Sequence, residues 1–537
     1  MSDEPVIDDN GLRTGLTPRP IPVGPASVQE VIAGLTAIEG TALIDRHGAM
    51  DYPAVARAID AIAAGLEARG VGLGTVVAAS APNSNELILA FFAAQRIGAI
   101  WLGINRVLAP PEKAALLDDS RASLFLATPE IIAEQQALGS DVAALTIGCA
   151  DSDLSAMMER GGAPSALPPV DPYRPAIIGY TSGTTGLPKG VVHSQHGMMA
   201  YINGCLYSDQ GGQWQFGMRR ALSISLTIMN GIIYGPLVAL ASRGTYVAID
   251  RADAAGIGEW IDTHGVEVLN CTATTLRDLL FLPQLQHLSL KSLKAVAAGG
   301  APVDDVILEA WRERFGYEII VDYGITESPS GMASSRIHTR RTHGMVGPAH
   351  PHLELAIMDE EGRSLPVGET GELCAGPRAE GLWAGVYTGM LGYWRKPDET
   401  RSAFHGAWMR TGDMAVMDEH GQIGIVGRKK EMILRGGANI YPAEIERVLN
   451  AHERVMEAVV AGVPDERLGQ QVAAYVKMRP GELVDDALGQ QLRDYCRSQL
   501  ARYKVPEQWF VVDDIPRNAM NKPQKNLLHT VPQKRLA

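Results

Sequence analysis

Cysteine is scarce and unpatterned: Cys149, Cys205, Cys271, Cys374 and Cys496 are the five present, and no two stand in a CxxC spacing. That spacing argues against a thiol-built zinc site or a disulfide framework, and buried or inert thiols are the expectation. Positive charge is short as well. Lys and Arg number 48 against 61 Asp and Glu, a formal net charge of −13, so a basic surface able to displace counterions from nucleic acid is missing. No nucleic-acid partner is expected, and a polyanionic ligand must be held locally. Long apolar runs are absent too. The stretch 87–104 is interrupted by Gln95 and Arg96, and the other apolar runs are shorter than a bilayer requires, so no membrane span is expected. The first residues are acidic and broken by prolines, unlike the basic start and apolar run of a signal peptide. Residues 1–25 read as a loose leader, and a reducing cytoplasmic location follows.

What is present suits a globular protein of several cores. The chain has 537 residues, 46% hydrophobic and 20% charged, more than one core holds and close to the globular average. A strand-then-helix rhythm marks the first large region. Residues 76–79 read as a strand and 85–96 as a helix; 176–180 and 294–297 read as further strands, each running into a glycine-rich turn. A helix over 304–315 and a strand over 318–322 follow. This is an α/β signature, helix-flanked β-sheets filling a large domain over 26–428. From about 351 the text changes to short strands separated by glycine turns, a β-rich subdomain reaching 428. Residues 429–537 read as a small α+β domain: a helix begun by Pro442, strands over 458–463 and 471–477, and an amphipathic helix over 485–500. Leu488, Leu492, Tyr495, Cys496 and Leu500 would share the buried face of that last helix.

The densest chemistry lies after the strand 176–180. Thr181, Ser182, Gly183, Thr184, Thr185, Gly186, Leu187, Pro188, Lys189 and Gly190 pack three glycines, four hydroxyls and a lysine into ten residues. Glycines let backbone N–H groups turn toward an anion, and hydroxyls with an ammonium add charge-assisted donors. Such a loop is built to hold phosphate, although its spacing is not that of a Walker A loop.

This segment resembles the signature of the adenylate-forming superfamily of acyl-CoA synthetases, peptide-synthetase adenylation domains and luciferases, and further motifs follow in that family's order. The resemblance implies a clamp on the pyrophosphate portion of ATP by residues 181–186 and Lys189. Tyr323-Gly324-Ile325-Thr326-Glu327 resembles the YGxTE segment, which implies Tyr323 on adenine, Thr326 on the α-phosphate and Glu327 on Mg²⁺. Gly299-Gly300-Ala301-Pro302 resembles the segment along adenine. The resemblance puts Ile425 in the nucleotide site and Asp413, in Thr411-Gly412-Asp413, on the ribose hydroxyls. Arg428 falls near ribose and phosphate, and Lys430 at the hinge of a mobile C-terminal domain. Gly436 and Gly437 resemble the loop lining the thiol tunnel, where Ala438 replaces the usual glutamate. Residues 516–522 resemble the PRxxxGK motif, closest to the form in 4-chlorobenzoate:CoA ligases, and make Lys522 the catalytic lysine with Lys525 as competitor. A mobile ammonium between the attacking carboxylate and the α-phosphate would steady charge on both.

The implied activity has two steps: a carboxylic acid and Mg·ATP give an acyl-adenylate and pyrophosphate, and coenzyme A then takes the acyl group and releases AMP. Tyr503 and Lys504 offer an aromatic and a cation to the coenzyme A nucleotide. The resemblance places the acyl pocket at the stretch 225–231, where Ile228, Met229 and Asn230, with Gly324, suggest an uncharged hydrophobic acid: aromatic, alicyclic or of medium chain. Asp322 stands with the nucleotide residues and faces either adenine or the acyl side. Two alternatives stay open, a stand-alone enzyme loading a carrier-protein thiol and a non-catalytic nucleotide-binding relative. A homodimer is left open as well.

Overall fold

The computed structural model describes residues 6–181, 188–208, 212–251, 253–329, 331–335, 344–517 and 523–536. The chain divides into two compact units, one made of Met1–Leu355 and Ala375–Arg410, the other of Ala356–Cys374 and Thr411–Ala537.

The first unit holds a seven-stranded and an eight-stranded sheet. In the seven-stranded sheet Leu124–Ala127, Val76–Ser80, Ile100–Gly103 and Pro175–Thr181 run parallel, and Lys189–Ser194 turns back antiparallel beside the last. The helix Asn85–Arg96 lies where its apolar spacing puts it, opened by Ser84, whose hydroxyl accepts from Leu87 N. It is apolar all round because it is enclosed all round: Phe91 and Phe92 are fully buried. Gly98, at φ +74, then reverses the chain into the strand Ile100–Gly103. The apolar stretch 87–104 is therefore a helix and a strand joined by a turn. No helix among the described residues is long and apolar enough to cross a membrane.

In the eight-stranded sheet Thr245–Val247, Arg219–Leu222, Val268–Cys271, Ala295–Gly299 and Ile320–Tyr323 are parallel neighbours. Their carboxyl ends lie together, the usual place for a ligand in such sheets. The helix Asp305–Phe315 begins after Asp304 and stops at Gly316, which takes φ +80. The segment 1–25, expected to be a loose leader, is tied down in part. Val6–Ile7 pairs with Arg13–Thr14, Leu12 is buried, and the Arg13 guanidinium donates to the carbonyls of Thr388 and Met390.

The second unit carries a six-stranded sheet in which Val455–Asp465 and Gly469–Met478 form a long antiparallel pair. The helix Asp486–Gln499 is capped by Asp485 and buries Leu488, Leu492 and Cys496. Tyr495, expected on that buried face, is only half-buried and packs edge-on against the His452 ring, 4.8 Å between centroids. Of the five cysteines, four are buried and Cys149 is half-buried, and none forms a disulfide.

Candidate active site

In the first unit, Pro175–Thr181 and Lys189–Ser194 pair with Thr181 opposite Lys189. The glycine-rich loop is thus the connection of an antiparallel pair. Ser182, Gly183, Thr184, Thr185 and Gly186 lie outside the described residues. Lys189, at the start of the returning strand, places its ammonium 5.0 Å from the Tyr393 ring centroid, within cation–π range. The Tyr393 hydroxyl donates to Glu327 Oε1 at 2.8 Å. Lys189 and Glu327 are therefore neighbours through one aromatic ring that the motifs did not reveal.

The backbone at Thr326 and Glu327 is held from two sides. His193 Nε2 donates to the Thr326 carbonyl at 2.7 Å, and Met390 N donates to the Glu327 carbonyl at 3.1 Å. His193 is fully buried, and desolvation pushes its pKa down to about 4 despite the bond to Thr326. It is a neutral donor at ordinary pH, with the proton on Nε2 because a carbonyl can only accept. Met229 reaches the same place. A Cβ on Gly179 would lie 2.8 Å from Met229 Sδ and 3.3 Å from Thr326 Cγ2. The missing side chain is what lets the Thr326 methyl and the Met229 thioether both lie close over the strand at this glycine.

Gly299 pairs with Asp322 across parallel strands, and a Cβ on Gly299 would press to 2.8 Å from the Asp322 carbonyl. Gly300, Ala301 and Pro302 follow in an exposed turn, Gly300 at φ +80. Next along the chain, Tyr323 is half-buried with its carbonyl taken by Met332 N at 2.8 Å, and Gly324 is half-buried. The Asp322 carboxyl is held through one oxygen: Oδ2 accepts from Tyr234 Oη at 2.9 Å and from Gln213 Nε2 at 3.4 Å. Desolvation raises it to about 7, against the pull of both donors. Ile228 caps the helix Met229–Ile232, and Asn230 Oδ1 is buried with no hydrogen-bond partner among the described residues.

In the second unit, Asp413 stands opposite Arg428 on paired strands, and the Arg428 guanidinium lies 2.7 Å from its carboxylate. Asp413 is buried and Arg428 half exposed, so the pair presents its cationic side outward. Gly412, at φ +72, lies within the strand Trp408–Met417, and Thr411 Oγ1 beside it donates to the Leu373 carbonyl at 2.7 Å. Ile425 sits on the strand Ile423–Arg428 and Lys430 in the single turn Lys429–Glu431. Gly436 and Gly437, at φ +55 and +84, make the two-residue turn between Ile433–Arg435 and Ala438–Ile440, a hairpin that only glycine-like residues close readily.

Lys522 lies outside the described residues. Lys525 is held by Glu431 at 2.8 Å and Glu446 at 2.9 Å. Burial alone would lower its pKa, but the two carboxylates outweigh it and raise it. Lys504 is likewise engaged by Glu444 at 2.7 Å, whereas Tyr503 is 43% exposed. Tyr503 lines a cleft of about 570 Å³ with Arg435, Arg493, Arg497 and Arg502. Arg493 and Arg497 stand one turn apart on the helix Asp486–Gln499; their i, i+4 spacing was the available sequence signal.

With this geometry in place, the comparisons with known proteins converge. A family model described as AMP-binding enzyme matches residues 33–394, and one for the AMP-binding enzyme C-terminal domain matches 444–522. An indoleacetate–CoA ligase of Aromatoleum aromaticum is 31% identical over 506 residues, covering 90% of this chain and 96% of the relative. The crystal structure of ATP-bound MatB from Rhodopseudomonas palustris superposes with a TM-score of 0.83 at 28% identity, covering 94% and 98% of the two chains. The o-succinylbenzoate CoA synthetase of Bacillus subtilis, solved with its acyl-adenylate intermediate, gives a TM-score of 0.80 at 25% identity, covering 96% and 100%.

Proposed function

The chain belongs to the AMP-binding enzyme family, and from that membership we propose that it is an ATP-dependent ligase that activates a carboxylic acid as its acyl-adenylate and passes the acyl group to coenzyme A. The observation that carries the reading is the cluster of Lys189, Tyr393 and Glu327 beside a Thr326 backbone anchored by His193. It places a cation, a carboxylate and a hydroxyl-bearing residue together at the end of a glycine-rich connection, the equipment for a triphosphate. Relatives whose names specify CoA ligation of indoleacetate, sulfoacetate and ferulate support the thiol.

In the first step Lys189 and residues 181–186 bind the departing pyrophosphate, and Thr326 orients the α-phosphate. Glu327 is the residue that would hold Mg²⁺. It fits: one of its carboxylate oxygens takes the Tyr393 hydroxyl, and no cluster of three or more His, Cys, Asp or Glu side chains among the described residues forms a cage. That suits an ion that arrives on ATP and keeps mainly phosphate and water ligands. When bound, Mg²⁺ neutralises charge that builds on the leaving pyrophosphate. Gly299 to Pro302 and Tyr323 serve adenine. In the second unit Asp413 serves the ribose hydroxyls, aided by Arg428 and Ile425. Lys522 is assigned the charge between the reacting carboxylate and phosphate; the double carboxylate pairing of Lys525 supports that choice over its competitor.

For the second step the Gly436-Gly437 hairpin lines the thiol path, and Tyr503 with Arg493, Arg497 and Arg502 receives the coenzyme A nucleotide. Lys504 contributes less because Glu444 already holds it. The reading includes a large nucleotide- and acyl-binding domain, a small mobile C-terminal domain hinged at Lys430, and a cytoplasmic location. The test is AMP release from Mg·ATP across aromatic, alicyclic, fatty and dicarboxylic acids, with and without coenzyme A. Acid-dependent release that requires coenzyme A supports the ligase. Acid-dependent pyrophosphate exchange with no thioester formed redirects the thiol to a carrier protein, and nucleotide binding without exchange overturns the catalytic reading.

A further inference from the structure

A buried carboxylate is expensive unless each of its oxygens is matched by a donor or a cation. At Asp322 only one is. Oδ2 takes Tyr234 Oη and Gln213 Nε2, while Oδ1 is buried and has no hydrogen-bond partner among the described residues. No lysine, arginine or protonated histidine pairs with it among the described residues. The protonation state does not remove the problem, since a carboxyl proton on Oδ1 would itself need an acceptor. Desolvation holds this group near 7, a sign of how poorly the protein alone solvates it.

Its surroundings are constructed rather than accidental. Asp322 lies at the carboxyl end of Ile320–Tyr323, and Asn270 near the carboxyl end of Val268–Cys271 in the same parallel sheet. Gln213 bridges them, accepting from Asn270 Nδ2 at 3.0 Å while donating to Asp322. The partner Tyr234 stands in a π-helical turn, Ile233–Leu237, that directly follows the helix Met229–Ile232. Such turns are rare, weaken the helix and recur at functional sites. Here the wider turn carries Tyr234 to Asp322, and its ring lies 5.6 Å from those of both Tyr201 and Trp214.

The same stretch of chain begins at the reacting end. Met229 and Thr326 both flank Gly179, and Tyr234 meets Asp322 five residues later. Five residues of helix advance roughly 7 Å, about the span of one aromatic ring with a short side arm. Taking the ligase reading as its basis, we infer that Asp322 is a specificity-determining residue: its Oδ1 accepts a hydrogen bond from an N–H or O–H carried by the acid at the end remote from its carboxylate. The preferred substrates are then ring-bearing acids with such a donor. A site built around a buried acceptor discriminates strongly, because an analogue lacking the donor leaves the acceptor unmet.

The experiment measures kcat/KM for AMP release with coenzyme A on matched pairs of acids differing by one methyl cap: indole-3-acetate against 1-methylindole-3-acetate, and 3-(4-hydroxyphenyl)propanoate against its methyl ether. The native enzyme is expected to favour the uncapped member of at least one pair by tenfold or more. Asp322→Ala should bring that ratio within about threefold, chiefly by raising KM for the uncapped acid, and Asp322→Asn should lose the preference as well, because Tyr234 and Gln213 claim its one carbonyl oxygen and turn the amide N–H₂ toward the substrate donor. A purely structural role predicts instead that Asp322→Ala lowers both members equally, and that result overturns the inference. If Asp322→Ala does not fold, the native ratios decide alone: turnover of capped and uncapped acids at equal efficiency overturns the inference and leaves the ligase reading standing. Absence of acid-dependent AMP release throughout the wider panel overturns both.

Discussion

Tyr393 and Glu327 are 66 residues apart in the chain, yet the tyrosine hydroxyl donates to Glu327 Oε1 at 2.8 Å while the same ring lies under the Lys189 ammonium. One aromatic side chain thereby sets the position of a carboxylate and of a cation. The hydroxyl fixes which Glu327 oxygen remains for other partners, and the ring keeps Lys189 extended along its strand. Neither contact demands much of the fold locally: Tyr393 is simply the end of the short strand Gly392–Tyr393, paired to Val191 beside the glycine-rich connection.

Separating the two contacts gives a direct test. Tyr393→Phe keeps the ring and removes the hydroxyl, so Glu327 loses one charge-assisted hydrogen bond, worth on the order of 1.5–3 kcal/mol. Pyrophosphate exchange with a competent acid should fall roughly tenfold or more, and the Mg²⁺ concentration for half-maximal exchange should rise. Tyr393→Leu, which also removes the ring beneath Lys189, should raise KM for ATP in addition. Equal Mg²⁺ dependence in the native and Tyr393→Phe enzymes would show that Glu327 does not meet the ion.

The two C-terminal lysines should separate as cleanly. Lys525 sits between Glu431 and Glu446, so Lys525→Ala leaves two carboxylates facing one another across a partly buried gap. It should lower the melting temperature of the protein. Lys522→Ala should leave melting unchanged and slow adenylation by roughly 2–4 kcal/mol, the value of one preorganised charged donor. Conversion of a supplied acyl-adenylate to thioester should survive Lys522→Ala. Comparable losses in both half-reactions would remove Lys522 from the first step alone.

How much of this was legible in the sequence depends on how far apart the interacting residues stand. The helix Asn85–Arg96 and the strand Pro175–Thr181 were visible because each carries a local signal, apolar residues at helical spacing in one case and the glycine-rich run that follows in the other. The salt bridge of Asp413 with Arg428 joins two motif residues that sequence placed at the same nucleotide. His193, Tyr393, Gln213 and Tyr234 were not visible, since each acts through a partner more than 60 residues away. Tyr234 was further hidden by the π-turn. An apolar stretch read at 3.6 residues per turn assigns the following side chains to the wrong direction as soon as one turn widens.

His193 connects stability to pH in a way that can be measured. Burial holds its pKa at about 4 in the folded protein, with the nearby Arg13 guanidinium acting in the same direction and the Thr326 carbonyl against both. The unfolded chain has an ordinary histidine near 6.5. Between those values the unfolded chain binds a proton that the folded protein refuses, so this residue's contribution is fully present above pH 6.5 and is lost as pH falls toward 4. In the limit the loss approaches roughly 3 kcal/mol. His193→Gln keeps an N–H donor for the Thr326 carbonyl and has no proton to gain. At pH 7.5 the native protein should be the more stable of the two by melting temperature, and the difference should shrink or reverse by pH 4.5. His193→Leu should show the same flattened pH response but lose adenylation as well, because nothing then restrains the Thr326 carbonyl. A native-minus-Gln stability difference that stays constant from pH 7.5 to 4.5 would mean that His193 is not held neutral in the fold.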